Sequence, residues 1–418
     1  MDDVEIPAHF LCPISLQLMR DPVAVATGIT YDRDNIEKWL FSCKNKTCPV
    51  TKQVLSDSDL TPNHTLRRLI GSWCTLNASH GIEIIPTPKL PVNKTQIVKL
   101  LIKDAEKFLD HNMQLKCLRK LKSITLEGER SRSCLESAGA VEFLVSIIKS
   151  NNHSISQELN DSSSDEFMKA SDEALSILNQ LQISDGCLRK IINYDCSFVE
   201  ALVGVLKQGN YQSRAYATML LKNAFKVADS IQLTSATREF FAEIVRVLRD
   251  QISQKASKAA LKILVQLCTP RSRNRIKAVE GGAVMVLIEL ILEASENRAC
   301  ELKLILLDQL CRSAEGRAEL LKHGAGLAVV SKKILRVSRV ASDSAVKILC
   351  YICKFSTTCS VVQEMLEVGV VAKLCLVLQV DCSYKTKERA RKILRLHSRV
   401  WRNSSCVPSH LLASYPSS

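Results

Sequence analysis

A short helical segment recurs along this chain at a nearly constant interval. Gly282 lies 42 residues before Gly324, and Gly324 lies 45 residues before Gly369. Each glycine opens a run of apolar residues at helical spacing, as in "VEGGAVMVLIELILEA" (279–294) and "EVGVVAKLCLVLQV" (367–380). A repeat of this length is too short to close a core by itself, so neighbouring repeats must stack and bury a continuous one.

The period is typical of helical solenoids of the armadillo and HEAT kind. Two further runs, at 197–209 and 239–251, keep the phase without the glycine. Aromatic residues make up only 5% of the chain, which suits helices better than β-sandwiches. We therefore predict an all-α solenoid over residues 94–402, with a glycine at the tight turn before each long helix and a tail over 403–418.

One interval in the repeat is longer, because "SNNHSISQELNDSSSDEF" (150–167) is inserted. Few of its residues could join a core, so we predict a polar loop there. Ser162, Ser163 and Ser164 beside two acidic residues are also candidates for phosphorylation, and the solvated insertion is the simpler interpretation. At the other end, Ala390, Ile393, Leu394, His397 and Trp401 share one helical face, which predicts a basic capping helix rather than a nuclear-import signal.

The first 80 residues have a different character. "DPVAVATGITYD" predicts a hairpin turning at Thr27-Gly28, and Asp32 is a candidate N-cap for the helix that follows. Asn63 is a candidate cap for a second helix carrying Leu66, Leu69, Ile70 and Trp73. These signals predict a small α+β domain over residues 5–80, joined to the solenoid by a proline-rich linker over 81–93.

Two loops of this domain read "CPIS" (12–15) and "CPVT" (48–51), with hydroxyls where paired zinc ligands would carry a second cysteine. Residues 1–75 offer Cys12, Cys43, Cys48, Cys74, His9 and His64, whereas a two-zinc cross-brace needs about eight ligands. The pattern therefore argues against a metal.

Catalysis by a cysteine nucleophile is also disfavoured. Cys12 lies among Phe10, Leu11 and Ile14, and an apolar setting raises the pKa of a thiol. Cys350 and Cys353 form a C-x2-C pair inside an apolar helical run, where core packing explains them better. Nucleotide-binding and hydrolase signatures are missing, and we expect no cofactor.

Charge and cysteine content constrain location and partners. Residues 1–75 hold 8 Lys/Arg against 9 Asp/Glu, a net charge of −1, so the remainder carries +15 and the whole chain +14. This surface favours acidic protein partners over nucleic acid, because exposed aromatics do not alternate with the basic residues. The 17 cysteines, without regular pairing or a signal peptide, indicate reduced thiols and a cytoplasmic or nuclear location. Apolar runs are too short to span a membrane.

Several apolar residues fall on or between the two Cys-Pro loops: Ile14, Leu16, Trp39, Pro49 and Val50. A domain this small needs most of its apolar residues for its core. Proline-flanked loop hydrophobics are equally what a compact docking patch requires. The residues alone leave both interpretations open.

The segments "IPAHFLCPISLQLMRDPVAVATGITYDRDNIEKWL", "CPVTKQ" and "TPNHTLRRLIGSWC" resemble the plant U-box pattern over residues 6–74. The helical repeats resemble the tail of the plant U-box/armadillo ubiquitin ligases, in their short class without an extra N-terminal domain. The resemblance implies a zinc-free RING-like domain, an E3 ubiquitin transferase without a covalent intermediate, and a ubiquitin-charged conjugating enzyme (E2) as partner.

Residue roles follow from the same resemblance. Ile14, Leu16, Trp39, Pro49 and Val50 would form the E2-binding surface. Lys52 would contact both the E2 and ubiquitin, although many relatives carry Arg there, which makes a bidentate contact that Lys cannot. Ser15, Tyr31, Asp32, Thr51 and Asn63 would form a polar network in place of zinc.

The armadillo groove would hold the protein substrate, and the family commonly acts in plant immune and stress signalling. Self-association stays open. Two alternatives compete with the ligase: a non-enzymatic armadillo adaptor with a structural U-box, and a nucleic-acid-binding solenoid.

Overall fold

The computed structural model describes residues 6–42, 45, 47–55, 60–80, 100, 111–155, 164–194, 197–228, 236–269, 273–293, 298–401 and 415. Two compact units result: residues 1–147 with 160–183, and residues 148–159 with 184–418. The predicted linker over 81–93 and all of the predicted tail except Tyr415 lie outside the described residues.

The first unit begins with a three-stranded antiparallel sheet in the order β2-β1-β3. Its strands are β1 (Pro22–Ala24), β2 (Thr30–Asp32) and β3 (Thr61–Pro62). The register pairs Val23 with Tyr31, and Gly28 adopts φ +82° in the turn, which confirms the predicted hairpin.

Two helices pack on this sheet. Helix α1 (Arg33–Glu37) continues into a π-helical turn (Lys38–Ser42), and α2 (His64–Leu76) begins at Asn63, whose side chain accepts a hydrogen bond from the Leu66 amide at 3.0 Å. Short 3-10 turns lie at Ala8–Phe10 and Ala78–His80. The buried core of this domain contains Phe10, Cys12, Met19, Val23, Val25, Tyr31, Ile36, Cys48, Leu55, Leu60, Ile70 and Cys74.

Helices make up the rest of the described chain. Their bounds are α3 His111–Glu127, α4 Glu129–Ser137, α5 Ala140–Ile155, α6 Ser164–Leu181, α7 Asp185–Tyr194, α8 Ser197–Gln208, α9 Tyr211–Val227, α10 Arg238–Arg249, α11 Gln254–Leu267, α12 Asn274–Glu280, α13 Ala283–Glu293, α14 Arg298–Leu310, α15 Ala314–Lys322, α16 Gly326–Lys333, α17 Arg339–Phe355, α18 Cys359–Glu367, α19 Val370–Gln379, α20 Tyr384–Leu396 and α21 Ser398–Trp401.

The second unit stacks its long helices in a row, since each of α9, α11, α14, α17 and α20 packs against the next. Four of these helices start in the same way. Asn210, Ser253, Ser338 and Ser383 each accept a hydrogen bond from the amide three residues later, at 2.9–3.1 Å. The caps recur with the repeat and fix where each long helix begins.

The predicted glycine turn is present at three positions and absent at the fourth, and the helices that follow it, such as α13 and α19, are shorter than the stacked helices α14 and α20. Gly139, Gly282 and Gly369 have φ of +87°, +83° and +74° before α5, α13 and α19. At the fourth turn the constrained residue is Gly326 rather than Gly324, because a Cβ on Gly326 would lie 2.1 Å from the Leu320 carbonyl oxygen.

Helix ends account for the other differences. Part of the predicted loop over 150–167 is helical, since α5 extends to Ile155 and α6 starts at Ser164, and residues 156–163 lie outside the described residues. Extending an existing helix costs less than starting a new one. Ser162 and Ser163 lie outside the described residues.

The predicted capping helix is two helices rather than one, because α20 ends at Leu396 and α21 starts at Ser398. The break places the buried Trp401 ring so that its Nε1 donates to the Val362 carbonyl at 3.2 Å. From the predicted tail, Tyr415 is buried and donates through its hydroxyl to the Leu394 carbonyl at 2.7 Å.

Candidate functional site

The two Cys-Pro loops, residues 12–17 ("CPISLQ") and 48–53 ("CPVTKQ"), have the same backbone. In each, the amide of the first residue donates to the carbonyl of the sixth, and the amide of the fifth donates to the carbonyl of the first, at 2.8–2.9 Å. The fifth residues, Leu16 and Lys52, have φ of +57° and +60°. Residues other than glycine rarely adopt this left-handed backbone conformation, so both loops contain a strained residue at the same position.

The left-handed residues differ in chemistry. Leu16 is apolar and 74% exposed, and Lys52 is an exposed cation. The Lys52 ammonium lies 5.9 Å from the centre of the Trp39 ring, within cation–π range. Sequence reasoning missed the shared backbone, although the alignment of "CPISLQ" with "CPVTKQ" was a signal for it.

The sulfur of Cys12 anchors the first loop to the start of α1. The Asp32 amide donates to Cys12 Sγ at 3.3 Å, and Asn35 Nδ2 donates to the same sulfur at 3.7 Å. Asn35 Nδ2 also donates to Ser15 Oγ at 3.1 Å. Asn35 was missed in the sequence, and Cys12 was interpreted only as core.

The sulfur of Cys48 anchors the second loop in a similar way. Thr27 Oγ1 donates to Cys48 Sγ at 3.3 Å, the Tyr31 hydroxyl lies 3.0 Å from it, and Thr51 donates through both side chain and amide. The Tyr31 hydroxyl also accepts from the Val50 amide at 3.2 Å, so it bonds the tip of the loop to the sulfur. Thr27 was not predicted in this network.

These donors change the acidity of Cys48. Burial alone raises the pKa of a thiol, but the hydrogen bonds from Thr27, Thr51 and Tyr31 stabilise the thiolate and lower the pKa of Cys48 from 9.0 to about 6. Burial and the bond to Cys48 raise the pKa of the Tyr31 hydroxyl, which therefore stays protonated as a donor.

This acidity predicts that the stability of the N-terminal domain depends on pH. Because the folded pKa of Cys48 lies below its unfolded value, the stabilisation is complete above pH 9 and is lost as pH falls towards 6. We expect on the order of 2 kcal/mol to be lost between about pH 7.5 and 6. Hydrogen-exchange mass spectrometry of peptides from this domain during urea unfolding measures the loss.

Cys48→Ser keeps a hydrogen-bonding atom that does not ionise in this range, so it should flatten this part of the pH profile. Cys74→Ser is the matched control, because burial raises the pKa of that thiol. A slope unchanged in Cys48→Ser would contradict the assignment.

The remaining predicted polar residues occupy different places. The carboxylate of Asp32 does not cap α1; its Oδ1 accepts from the Arg20 and Asp21 amides at 2.7 and 2.9 Å, because the preceding loop lies closer than the helix amides. Burial raises the pKa of Asp32, and these amide bonds oppose the rise. Asn63 lies apart from both sulfurs, caps α2 and donates to Thr30 Oγ1 at 3.4 Å.

The predicted docking residues divide by exposure. Leu16 and Val50 are exposed, Val50 by 51%, while Ile14 and Trp39 are partly buried against the domain core and Pro49 is half-buried. Trp39 Nε1 donates to the Thr47 carbonyl at 2.7 Å and so joins the π-helical turn to the second loop. Both loops are therefore bonded to one segment, residues 31–39. Val54 beside the second loop is 74% exposed and was not predicted.

Metal ligands do not cluster in the described part of the chain, where no group of three His, Cys, Asp or Glu side chains could hold an ion. The cysteines of this part are free thiols. No helix among the described residues is long and apolar enough to cross a bilayer. Two sulfur-centred hydrogen-bond clusters thus organise the two loops.

The structure combines a small α+β domain, whose two loops are held by hydrogen bonds to cysteine sulfurs, with a row of stacked helices. Family models match both parts: a U-box domain over residues 6–79 and a plant U-box protein ARM repeat region over residues 97–417. The chain belongs to the plant U-box proteins with armadillo repeats.

Similar proteins span the whole chain. It is 51% identical to E3 ubiquitin-protein ligase PUB23 of Arabidopsis thaliana, covering 99% of this chain and 98% of that protein. It is 50% identical to E3 ubiquitin-protein ligase PUB22 of the same plant, covering 99% of each. A designed armadillo repeat protein, YIII(Dq)4CqI, is a similar solved structure, with TM-score 0.45 and 18% identity over 60% of this chain and 99% of that one.

Proposed function

We propose that the chain is an E3 ubiquitin-protein ligase whose two Cys-Pro loops bind a ubiquitin-charged E2. The proposal rests on two exposed apolar side chains, Leu16 on the first loop and Val50 on the second. Both loops are hydrogen-bonded to one segment, residues 31–39. Exposed apolar anchors on a rigid frame lose little entropy on binding. Relatives about 50% identical over the full chain support the transferase class.

The ligase works by positioning rather than by forming a covalent intermediate. Cys12 and Cys48 are fully buried and their sulfurs accept hydrogen bonds, so neither is presented to a thioester. Docking holds the E2 and its ubiquitin in one orientation. A substrate lysine amine attacks the thioester carbonyl carbon, the isopeptide bond forms, and the C–S bond breaks to release the cysteine thiol of the E2. Restricting orientation lowers the barrier without a group on the ligase reacting.

Lys52 supplies the charge in this arrangement. Replacing Lys52 by Met keeps an apolar stem over Trp39 and removes the ammonium. We expect ubiquitin discharge to fall about tenfold, with E2 binding reduced less, because the charge acts on the oriented complex. Lys52→Arg should retain most of the activity. Equal rates for Lys52→Met and the unaltered chain would remove Lys52 from the mechanism.

The proposal extends to substrate and setting. The armadillo repeats would hold the protein substrate, and the chain would act in the cytoplasm or nucleus. The family resemblance implies a role in immune and stress signalling. An adaptor with an inactive U-box would bind such partners without discharging ubiquitin.

Single-turnover discharge tests the ligase proposal. An E2 charged with ubiquitin is mixed with free lysine and the full chain. Because this step needs no ATP, a chelator can be added. We expect discharge to accelerate equally with and without chelator. Failure to accelerate discharge across a panel of plant E2 enzymes would favour the adaptor.

A further inference from the structure

A cluster of charged side chains joins the last three long helices, α14, α17 and α20, because Lys347 of α17 pairs with Asp308 of α14 and Arg389 of α20 pairs with Asp343 of α17. We call it the Tyr351 cluster; it contains Asp308, Arg312, Asp343, Lys347, Tyr351, Arg389 and Lys392. We propose that this cluster binds a protein segment rich in acidic side chains. The bound segment would be the substrate if the proposed ligase function holds, but the binding itself does not depend on that function.

One carboxylate of the cluster is buried deeper than its cations. The side chain of Asp308 is 6% exposed, whereas that of Asp343 is 25% exposed and those of Arg312, Lys347 and Arg389 are 23–31% exposed. The two carboxylates hold these cations in place while part of each cation faces solvent.

Asp343 orders two cations at once. Its Oδ2 lies 2.6 Å from Lys347 Nζ, and its Oδ1 lies 2.8 Å from Arg389 Nη1 and accepts from the Thr386 hydroxyl at 2.7 Å. Asp308 lies 3.6 Å from Arg312 Nη2 and 3.9 Å from Lys347 Nζ. An ammonium has three donors and a guanidinium five, so each cation keeps donors for a ligand.

The cluster has more cations than carboxylates. Arg312, Lys347 and Arg389 pair with Asp308 and Asp343. Lys392 follows Arg389 by three residues on α20 and so lies on the same helix face, and it has no ion pair among the described residues. Glu388 is the other carboxylate on α20, and it pairs with Arg391 of the same helix at 3.5 Å. The excess positive charge complements a segment with carboxylate or phosphate side chains.

Tyr351 supplies a surface among these charges. Its ring is half-buried, and Arg312, Lys347 and Arg389 are close enough to oppose the rise in the Tyr351 pKa that burial causes. A tyrosine ring flanked by ordered cations offers apolar contact and hydrogen bonding at little entropic cost. Ordered cations distinguish this cluster from isolated surface lysines.

Fluorescence anisotropy with the full chain, without E2, tests the inference. The probe is a labelled peptide of alternating Glu and Ser, compared with a Lys/Ser peptide, a phosphoserine peptide and a single-stranded oligonucleotide. We expect the acidic peptide to bind more tightly than the basic one, with binding weakened by salt. Tighter binding of the phosphoserine peptide than of the Glu/Ser peptide would contradict the assignment to carboxylate-rich segments, and weaker binding would support it.

Lys392→Glu should weaken binding of the acidic peptide about tenfold, and Lys392→Gln by less. Lys332→Glu is the matched control, since Lys332 is an exposed lysine on α16, and it should change binding less than about twofold. Lys392→Glu and Lys332→Glu change exposed side chains, so each should leave the melting temperature of the chain unchanged.

Three further results would overturn the inference: equal binding of acidic and basic peptides, binding unaffected by Lys392→Glu, or preferential binding of the oligonucleotide. Each would leave the ligase proposal standing, because ubiquitin discharge to free lysine does not require the cluster.

Discussion

Leu16→Asp is expected to abolish most ligase-stimulated ubiquitin discharge while the U-box stays folded. Leu16 is 74% exposed, so its side chain contributes little to the core. A buried interface carboxylate without a partner costs several kcal/mol, which corresponds to a loss of about 100-fold or more. Discharge of a charged E2 to free lysine, with Val50→Asp in parallel, measures the effect.

Leu76→Asp is the matched control, because Leu76 on α2 is 79% exposed and lies outside the two loops. It should leave discharge within about twofold of the unaltered chain. Ile14→Ala is less informative, since Ile14 packs against the core and its loss would also loosen the fold. Activity retained by Leu16→Asp and Val50→Asp would place the E2 elsewhere.

Of the substitutions that remove a single oxygen atom, Tyr31→Phe is expected to reduce stability the most. The change removes a buried hydroxyl that lies 3.0 Å from Cys48 Sγ and accepts from the Val50 amide at 3.2 Å. Leaving buried polar groups unpaired costs about 1–3 kcal/mol. Residues 48–53 should therefore exchange amide hydrogens about 5- to 150-fold faster, as measured by hydrogen-exchange mass spectrometry.

Tyr384→Phe is the matched control, since the Tyr384 ring is 76% exposed at the start of α20. It should leave exchange in the second loop unchanged. Discharge should fall with Tyr31→Phe, because a mobile loop no longer presents Val50 in one position. Unchanged exchange at residues 48–53 would show that the Cys48 sulfur network does not hold this loop.

The architecture followed from periodicity and local chemistry. Apolar spacing and the repeat interval predicted the helices and their stacking, because a repeat cannot bury its apolar face alone. The hairpin at Gly28 and the Asn63 cap were also predictable, since each depends on residues within a few positions of one another.

Contacts between distant residues were not predictable in the same way. Asp32 is a good cap by sequence, but the Arg20 and Asp21 amides compete for its carboxylate in the folded chain. Leu69 fits the helical pattern of α2 yet is 53% exposed, because the core takes Ile70 and Cys74 instead. The left-handed Leu16 and Lys52 break a conformational preference, so no propensity would have indicated them.

The sequence indicated the two loops of the candidate site, but not the hydrogen bonds that hold them. The hydroxyls of "CPIS" and "CPVT" indicated the loops, but the hydrogen-bond acceptors at the centres of the loops are the sulfurs of Cys12 and Cys48. The Cys12 side chain was predicted only to pack in the core. Only the folded chain brings Thr27, Tyr31 and Thr51 to the sulfur of Cys48.

We propose that hydrogen-bonded loops, without metal, present Leu16 and Val50 to a charged E2. The rate of single-turnover ubiquitin discharge in the presence of EDTA, for the full chain and for Leu16→Asp, tests this proposal. We expect acceleration of about tenfold or more over the E2 alone, unaffected by EDTA and lost in the variant. Discharge that stops on adding EDTA, or that survives in Leu16→Asp, would contradict it.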